Sequence, residues 1–193
     1  MITVAHRGLI QAENTIDSIV SASFYADWVE CDAHMDRSGR IVLCHNRELT
    51  GELLTDLCEH PFTLNIMLDI KAYGISEAES CAATIVNIVR KSRHKWKLCS
   101  FNEFCVRQLL ALRKYLKLTY DVGLISSNAP LNMYGHMKVD FVSVDYNVLS
   151  REIVERVRSS GKQVYTYTIK NKKQEDLVDK LGVDGVIKDI ILP

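Results

Sequence analysis

Residues 140–187, DFVSVDYNVLSREIVERVRSSGKQVYTYTIKNKKQEDLVDKLGVDGVI, decide the fold. Three runs rich in Val, Phe, Tyr, Thr and Ile start at Asp140, Gln163 and Asp184, and a helical pattern fills each gap between them. Ser150 opens the first helix, and Gly161 closes it after the basic Arg156 and Arg158, as the chemistry of a helix C-terminus favours. Asn171 to Gln174 and then Gly182 bracket the second helix in the same manner. The repeat of about 22 residues is the size of one strand, one helix and two short loops. Units of this kind build a parallel sheet.

Working outward, further strand-like runs start near Leu118, Lys97, Leu64, Trp28 and Ile2. Asn14 can cap a helix over residues 15–25, Ser76-Glu77-Ala78-Glu79 reads as a capping box for a helix ending near Lys91, and Cys105, Leu109, Leu112 and Leu116 share one helical face. An extra short strand, Arg40 to His45, is expected to pair with the strand at Trp28 across the Asp36-Arg37-Ser38-Gly39 turn. Eight alternating units suffice for an α/β fold of the compact (β/α)8 TIM-barrel type, with residues 1–193 as a single domain. Residues 126–138 carry a weak helix at best, and the chain stops at Pro193 without room for a last helix. The rival, a doubly wound open sheet, normally places a Gly-rich phosphate loop after its first strand, whereas His6-Arg7-Gly8 offers one glycine.

The 24 basic and 24 acidic side chains cancel, which removes the electrostatic footprint of a nucleic-acid binder. No apolar run approaches the roughly 18 residues that a membrane span needs. The start Met1-Ile2-Thr3-Val4-Ala5-His6 lacks a secretory signal pattern. The six cysteines form no C-x-x-C pair and no zinc spacing, and Cys31, Cys44 and Cys99 lie in apolar runs as small hydrophobes. A cytoplasmic setting is expected.

In a barrel of this type the chemistry sits at the C-terminal ends of the strands. Those ends carry His6 and Arg7, then Glu30 and Asp32, then His45, then Asp69 and Lys71. Strand period two puts Glu30 and Asp32 on one face and Val29 and Cys31 on the other. It likewise groups Asp69 with Lys71, so three carboxylates can converge at the mouth. Two readings stand side by side. Oxygen-only ligands select one hard divalent cation, Mg2+ or Ca2+, or else Glu30 and Asp32 pair with Arg7 and Lys71 as a structural ion network. His6 and His45 each follow an apolar residue two positions back and suit general acid–base work, while Arg7 and Lys71 suit an anionic substrate. A cation, two basic side chains and two imidazoles describe phosphoester chemistry better than acyl or sugar chemistry. His34, His60, His94 and His136 are read as surface or loop residues.

Taken in order, His6-Arg7-Gly8, Glu13-Asn14-Thr15, Glu30-Cys31-Asp32, the turn at Asp36 to Gly39, Val42 to His45, Leu64 to Lys71, Ser100-Phe101, Tyr165 to Thr168 and Gly182 to Ile187 resemble the glycerophosphodiester phosphodiesterase family almost end to end. The resemblance implies a metal-dependent barrel hydrolase of small-molecule phosphodiesters, with a place in lipid metabolism. By position it implies Glu30, Asp32 and Asp69 as metal ligands and His6 and His45 as the catalytic pair. Arg7, Lys71 and Tyr167 would contact substrate, and Glu13 would support the site. The motifs specify neither the alcohol nor the oligomeric state.

The chain departs from the family pattern in five ways. Asp69 stands for Glu, Asn46 for the Asp after the second histidine, Tyr167 for a Trp, and Lys188 for a Thr, adding a positive charge near the last strand's end. The 24 residues from His45 to Asp69 are shorter than the family's usual insertion, so a more open pocket is expected. Two alternatives follow from these departures: a lysophospholipase D-like activity on larger lipid diesters, which an apolar rim at the mouth would favour, and a barrel without turnover that serves as a binding protein.

Overall fold

The computed structural model describes residues 1–46, 50–128 and 137–191. Its nine strands are β1 (Ile2–Leu9), β2 (Trp28–Met35), β3 (Ile41–Leu43), β4 (Asn65–Lys71), β5 (Lys95–Ser100), β6 (Asp121–Ser126), β7 (Phe141–Asp145), β8 (Gln163–Ile169) and β9 (Gly185–Ile190). Six α-helices lie between them: α1 (Ile16–Ala22), α2 (Leu54–Glu59), α3 (Ile75–Val89), α4 (Glu103–Leu116), α5 (Arg151–Ser159) and α6 (Lys172–Leu181). Every strand except β3 runs parallel to its neighbours, in the order β1-β9-β8-β7-β6-β5-β4-β2, and β1 pairs with β2 to close the barrel. This is the eight-stranded barrel that the strand–helix repeat predicts. His136 and the chain end at Pro193 lie outside the described residues, as does much of the 126–138 segment.

The closure between β1 and β2 is short. Val4 faces Trp28 and Ala5 faces Val29, and above that level the upper part of β2 turns to β3, with Ala33 opposite Leu43 and Met35 opposite Ile41. β3 is the expected antiparallel partner across the Asp36–Gly39 turn, although it stops at Leu43, so His45 lies beyond it in a bend. β1 and β2 therefore part at the mouth of the barrel.

Alternation along each strand sorts the core into two layers. Val29, Cys31, Leu68, Ile70, Leu98, Val122, Val142, Val164 and Val186 point outward and pack under the helices with Cys81, Ile85, Leu109 and Val157. Val4, Met67, Cys99, Ile125, Phe141, Tyr165 and Ile187 fill the interior. Two glycines make room for the largest of these. A Cβ on Gly123 would come within 2.1 Å of the Phe141 ring, and one on Gly185 within 2.3 Å of Tyr165. Below them, buried Lys97 reaches Asp121 at 2.5 Å, with its Nζ 4.7 Å from the Trp28 ring, 5.3 Å from Phe141 and 5.7 Å from Tyr165. Rings and ammonium together plug the lower end of the barrel.

Several local expectations hold. Ser150 accepts from the Ile153 amide and Asn171 from the Gln174 amide, and Gly182 ends α6 with φ +79°. Others are corrected. Thr15, not Asn14, caps α1. Helix α3 starts from Gly74 rather than Ser76, and Glu77 accepts from the Tyr73 amide instead of closing a box on a serine. β6 begins at Asp121 rather than near Leu118, because Lys117 ends α4 in the left-handed region and Leu118 still donates back to Arg113.

Candidate active site

Inward-facing side chains at the upper ends of β1, β2, β4 and β9 meet in one cavity of about 240 Å³. Its charged wall holds His6, Arg7, Glu30, Asp32, His45, Asp69 and Lys71, and the opposite wall is made by Cys99, Phe101, Ile125, Ser143, Tyr167 and Ile187. A broader cleft of about 740 Å³ lies at the other end of the barrel around Trp28, Asn65 and Asp184. There Asp27 already accepts from the Thr3 amide and Asp184 from Arg158, so no polar cluster is left waiting.

The register of β2 against β4 places Asp32 directly opposite Asp69, with Glu30 opposite Met67. Glu30, Asp32 and Asp69 are buried, and one carboxylate oxygen from each lies within 4.8 Å of the others. The chain reaches this cluster from β1 through a sharp turn. Arg7 at φ +56° and Gly8 at φ +82° bend the strand so that the Arg7 amide donates to Glu30 Oε2 at 2.9 Å. Only glycine fits at position 8, where a Cβ would sit 2.5 Å from Ser18 Oγ.

The ion network that the charge pattern allowed is present. Arg7 Nε lies 2.9 Å from Asp32 Oδ2, and Arg7 Nη1 donates to Glu13 at 3.0 Å. Lys71 bridges Asp32, at 2.8 Å, and Asp69. Asn14 is buried at φ +61°, its amide donating to Asp32 Oδ2 and its carbonyl accepting from the Asp32 main chain at 2.8 Å. Among the described residues, Asp32 Oδ2 is thus met by Arg7 and Asn14, and Oδ1 by Lys71 alone. Burial opposes its charge, yet Lys71, Arg7 and Asn14 hold its carboxyl below the ordinary value.

Glu30 and Asp69 differ. Burial, with like charge from the neighbouring carboxylates, raises Glu30 well above its usual range, and burial pushes Asp69 to about 6 against the pull of Lys71. Asp69 Oδ1 is buried with no hydrogen-bond partner among the described residues. An oxygen in that state costs on the order of 1–3 kcal/mol unless something meets it. The network therefore fixes Asp32 in place and leaves oxygen donors of Glu30 and Asp69 over, with Asp32 Oδ1 beside them. A hard divalent cation fits that remainder, being the class of ion that carboxylate oxygens select.

The two histidines sit differently. His6 is partly buried, and its Nδ1 lies 2.8 Å from Asp189 Oδ1 at the end of β9. Burial lowers its pKa although Asp189 pulls it upward. His45 is exposed, with Nδ1 2.9 Å from Asn46 Oδ1. The Tyr167 ring stands edge-on to Phe101 at 6.0 Å, and Lys71 Nζ lies 5.4 Å from the Phe101 ring centre.

All nine residues singled out from the sequence thus belong to one neighbourhood, eight of them lining the cavity and Glu13 joined to it through Arg7. Lys188 brings its positive charge near the end of the last strand, as expected, where it points outward and pairs with Glu175 at 3.0 Å. One reading is corrected. His34 is buried on β2, where its Nε2 donates to the His45 carbonyl at 3.1 Å. His94 lies in the loop before β5, as expected, and is buried there, bonded to the Leu64 amide and the Leu57 carbonyl. Asp189 was legible as inward-facing, two residues after Ile187 on the same strand, but no motif drew attention to it.

The sequence model of the glycerophosphoryl diester phosphodiesterase family matches residues 51–192. A glycerophosphodiester phosphodiesterase of Caldanaerobacter subterraneus subsp. tengcongensis is 24% identical, over 97% of this chain and 93% of that protein. Among solved structures, an Oleispira antarctica phosphodiesterase in complex with the product sn-glycerol-3-phosphate superimposes with a TM-score of 0.83 at 18% identity, covering 98% of this chain and 93% of its own. A glycerophosphodiester phosphodiesterase from Parabacteroides distasonis gives 0.82 at 16% identity, covering 97% and 92%. At such identities the structural likeness speaks for the fold.

Proposed function

The chain belongs to the glycerophosphoryl diester phosphodiesterase family, and on that premise we propose that it hydrolyses glycerophosphodiesters to glycerol phosphate and an alcohol with one divalent cation, Mg2+ or Ca2+. The observation that carries the reading is the buried carboxylate trio with an unmet Asp69 oxygen, in one cavity with two imidazoles. Glu30, Asp32 and Asp69 would hold the ion, which when bound supplies positive charge for a phosphoryl oxygen and raises the acidity of a glycerol hydroxyl beside it.

The rest falls to the chain's own side chains. Lys71 and Arg7 orient the phosphate, Lys71 as a point charge and Arg7 with the guanidinium edge that Glu13 and Asp32 leave over. Asp189 accepts the Nδ1 proton of His6 and so leaves Nε2 as the nitrogen that exchanges a proton in the cavity. Burial keeps His6 neutral near pH 7, the state of a general base that takes the proton of the attacking oxygen as it bonds to phosphorus. That oxygen belongs to water, or to the substrate's own neighbouring hydroxyl by way of a cyclic phosphate that water then opens. His45 serves as the acid that protonates the alcohol oxygen whose bond to phosphorus breaks. Tyr167 and Phe101 wall the side where the alcohol leaves. The reading treats the chain as one catalytic unit in a reducing compartment, in keeping with its six free cysteines.

The test is turnover of glycerophosphocholine with Mg2+, Ca2+ or EDTA. Metal-dependent hydrolysis that disappears in His6→Ala and in His45→Ala is expected. Activity that persists in both variants defeats the acid–base assignment, and a folded protein without turnover under any metal would indicate a binding role.

A second substrate reading has its own observation. Tyr73, Ile75, Phe101 and Phe104 are all about half exposed or more. Tyr73 and Phe101 stand on the adjoining loops after β4 and β5, and Ile75 and Phe104 in the first turns of α3 and α4 that follow. Asn102 ties the two loops together by donating to the Ala72 carbonyl at 2.9 Å. Since Phe101 also lines the cavity, this apolar rim begins where a substrate's alcohol would emerge and would accept an acyl chain. Lysophosphatidylcholine cleaved with a higher kcat/KM than glycerophosphocholine would favour this larger lipid diester.

A further inference from the structure

We propose that His34 is a positioning residue that holds the catalytic imidazole of His45 in place through its main chain; the inference rests on the role given to His45 above. The argument starts from where the β2–β3 ladder ends. Ala33 pairs with Leu43, and the Cys44 amide still donates to the Asp32 carbonyl at 3.1 Å. His45 lies one residue further, past the end of β3, with an exposed side chain in a bend. Among the described residues, no backbone amide is seen to meet its carbonyl. The imidazole of His34 supplies the missing donor, Nε2–H to oxygen at 3.1 Å, and so adds one more rung made by a side chain.

His34 is built to be a fixed donor. It is 2% exposed, it sits in the regular part of β2 opposite Lys71 of β4, and its ring stacks against Tyr73 with centroids 6.0 Å apart and planes 26° from parallel. The other restraint seen on the His45 side chain, the bond from Nδ1 to Asn46, lies at the exposed surface and joins two adjacent residues, so it cannot fix either of them to the barrel. With Nε2 committed to a carbonyl, His34 is not needed as a fourth ligand beside the carboxylates. Its contribution is to carry the rigidity of β2 across to a bend that would otherwise place the acid group loosely, and misplacement of about 1 Å costs on the order of 100-fold in rate.

The experiment compares His34→Phe, which keeps a ring against Tyr73 without the donor, and His34→Gln, which keeps a side-chain N–H of similar reach. The assay is glycerophosphocholine hydrolysis with Mg2+, alongside wild type, His45→Ala and the double variant His34→Phe/His45→Ala. We expect His34→Phe to lose about 10- to 100-fold in kcat with KM changed less than about threefold, and His34→Gln to recover most of the loss. Because His34 acts through His45, the double variant should be no slower than His45→Ala alone. Mg2+ affinity by calorimetry should stay at the wild-type value. If His34→Phe does not fold, His34→Leu carries the same prediction. Wild-type kcat in His34→Phe, failure of His34→Gln to recover, or a further drop in the double variant would each overturn the proposal. Wild-type turnover in His45→Ala would instead remove the premise about His45 and leave the geometry of His34 without a catalytic meaning.

Discussion

Lys188 and Asp189 are neighbours at the end of the last strand and face opposite ways. Lys188 turns out to Glu175, whereas Asp189 turns in to His6. Replacing Asp189 by Asn should lower kcat by about 100- to 10,000-fold through loss of the preferred His6 tautomer, with little change in KM. Steady-state kinetics on glycerophosphocholine check this, and an unchanged kcat would detach Asp189 from the reaction. The carboxylates make a second prediction. With no ion bound, burial raises Asp69 to about 6 and Glu30 well above the ordinary carboxylate range. Raised carboxyl groups favour the protonated fold, so the metal-free protein loses stability as pH rises from the unfolded carboxylate range near 4 through about 6. A cation needs the anionic forms, displaces the protons and binds more tightly over that same rise. The gain in Tm from saturating Mg2+ should therefore be larger near pH 7.5 than near pH 5.5, with proton release visible by calorimetry; the reverse order would take these side chains out of ion binding. At this scale the sequence showed the charges but not their partners. Asn14 looked like a helix cap because its type and place fit one, and its true work, on Asp32, depends on a left-handed backbone that no spacing reveals.

The elements were more legible than the residues, since hydrophobic period and helix caps are local. Ser150, Asn171 and Gly182 do what their chemistry predicts because nothing tertiary competes for them. Ser76 and Leu118 misled because the chain around them answers to neighbours: Asn102 ties down the loop ahead of α3, and α4 keeps hold of Leu118. Glycines within strands belong to this scale as well. Gly123→Ala puts a methyl group into the Phe141 ring and should destabilise by about 1–3 kcal/mol or more, measurable by urea unfolding. Phe141→Leu in the same chain should return part of that loss. Ser150→Ala, by contrast, removes only a cap and should cost about 1 kcal/mol. If Gly123→Ala unfolds no more easily than Ser150→Ala, the barrel interior is looser than its packing implies.

For the whole molecule, the repeating strand–helix unit, with one glycine rather than a Gly-rich loop after the first strand, was enough to predict a closed parallel barrel, because eight such units have few other ways to bury both sheet faces. The partings between strands were not predictable from any one segment. The gap above the short β1–β2 pairing, where His6 and Arg7 bend toward Glu30, arises only once β3 has claimed the upper half of β2. The lower barrel has the opposite character. Lys97 among its three aromatic rings makes the interior a cul-de-sac, so whatever enters by the mouth must also depart by it. Two products then share one exit and cannot leave independently. In the proposed reaction the alcohol, nearer the opening, would go first, and glycerol phosphate would be held at the carboxylates where the next substrate binds. Added glycerol 3-phosphate should accordingly inhibit competitively while added choline does not, an asymmetry imposed by a lysine far from any bond that is broken.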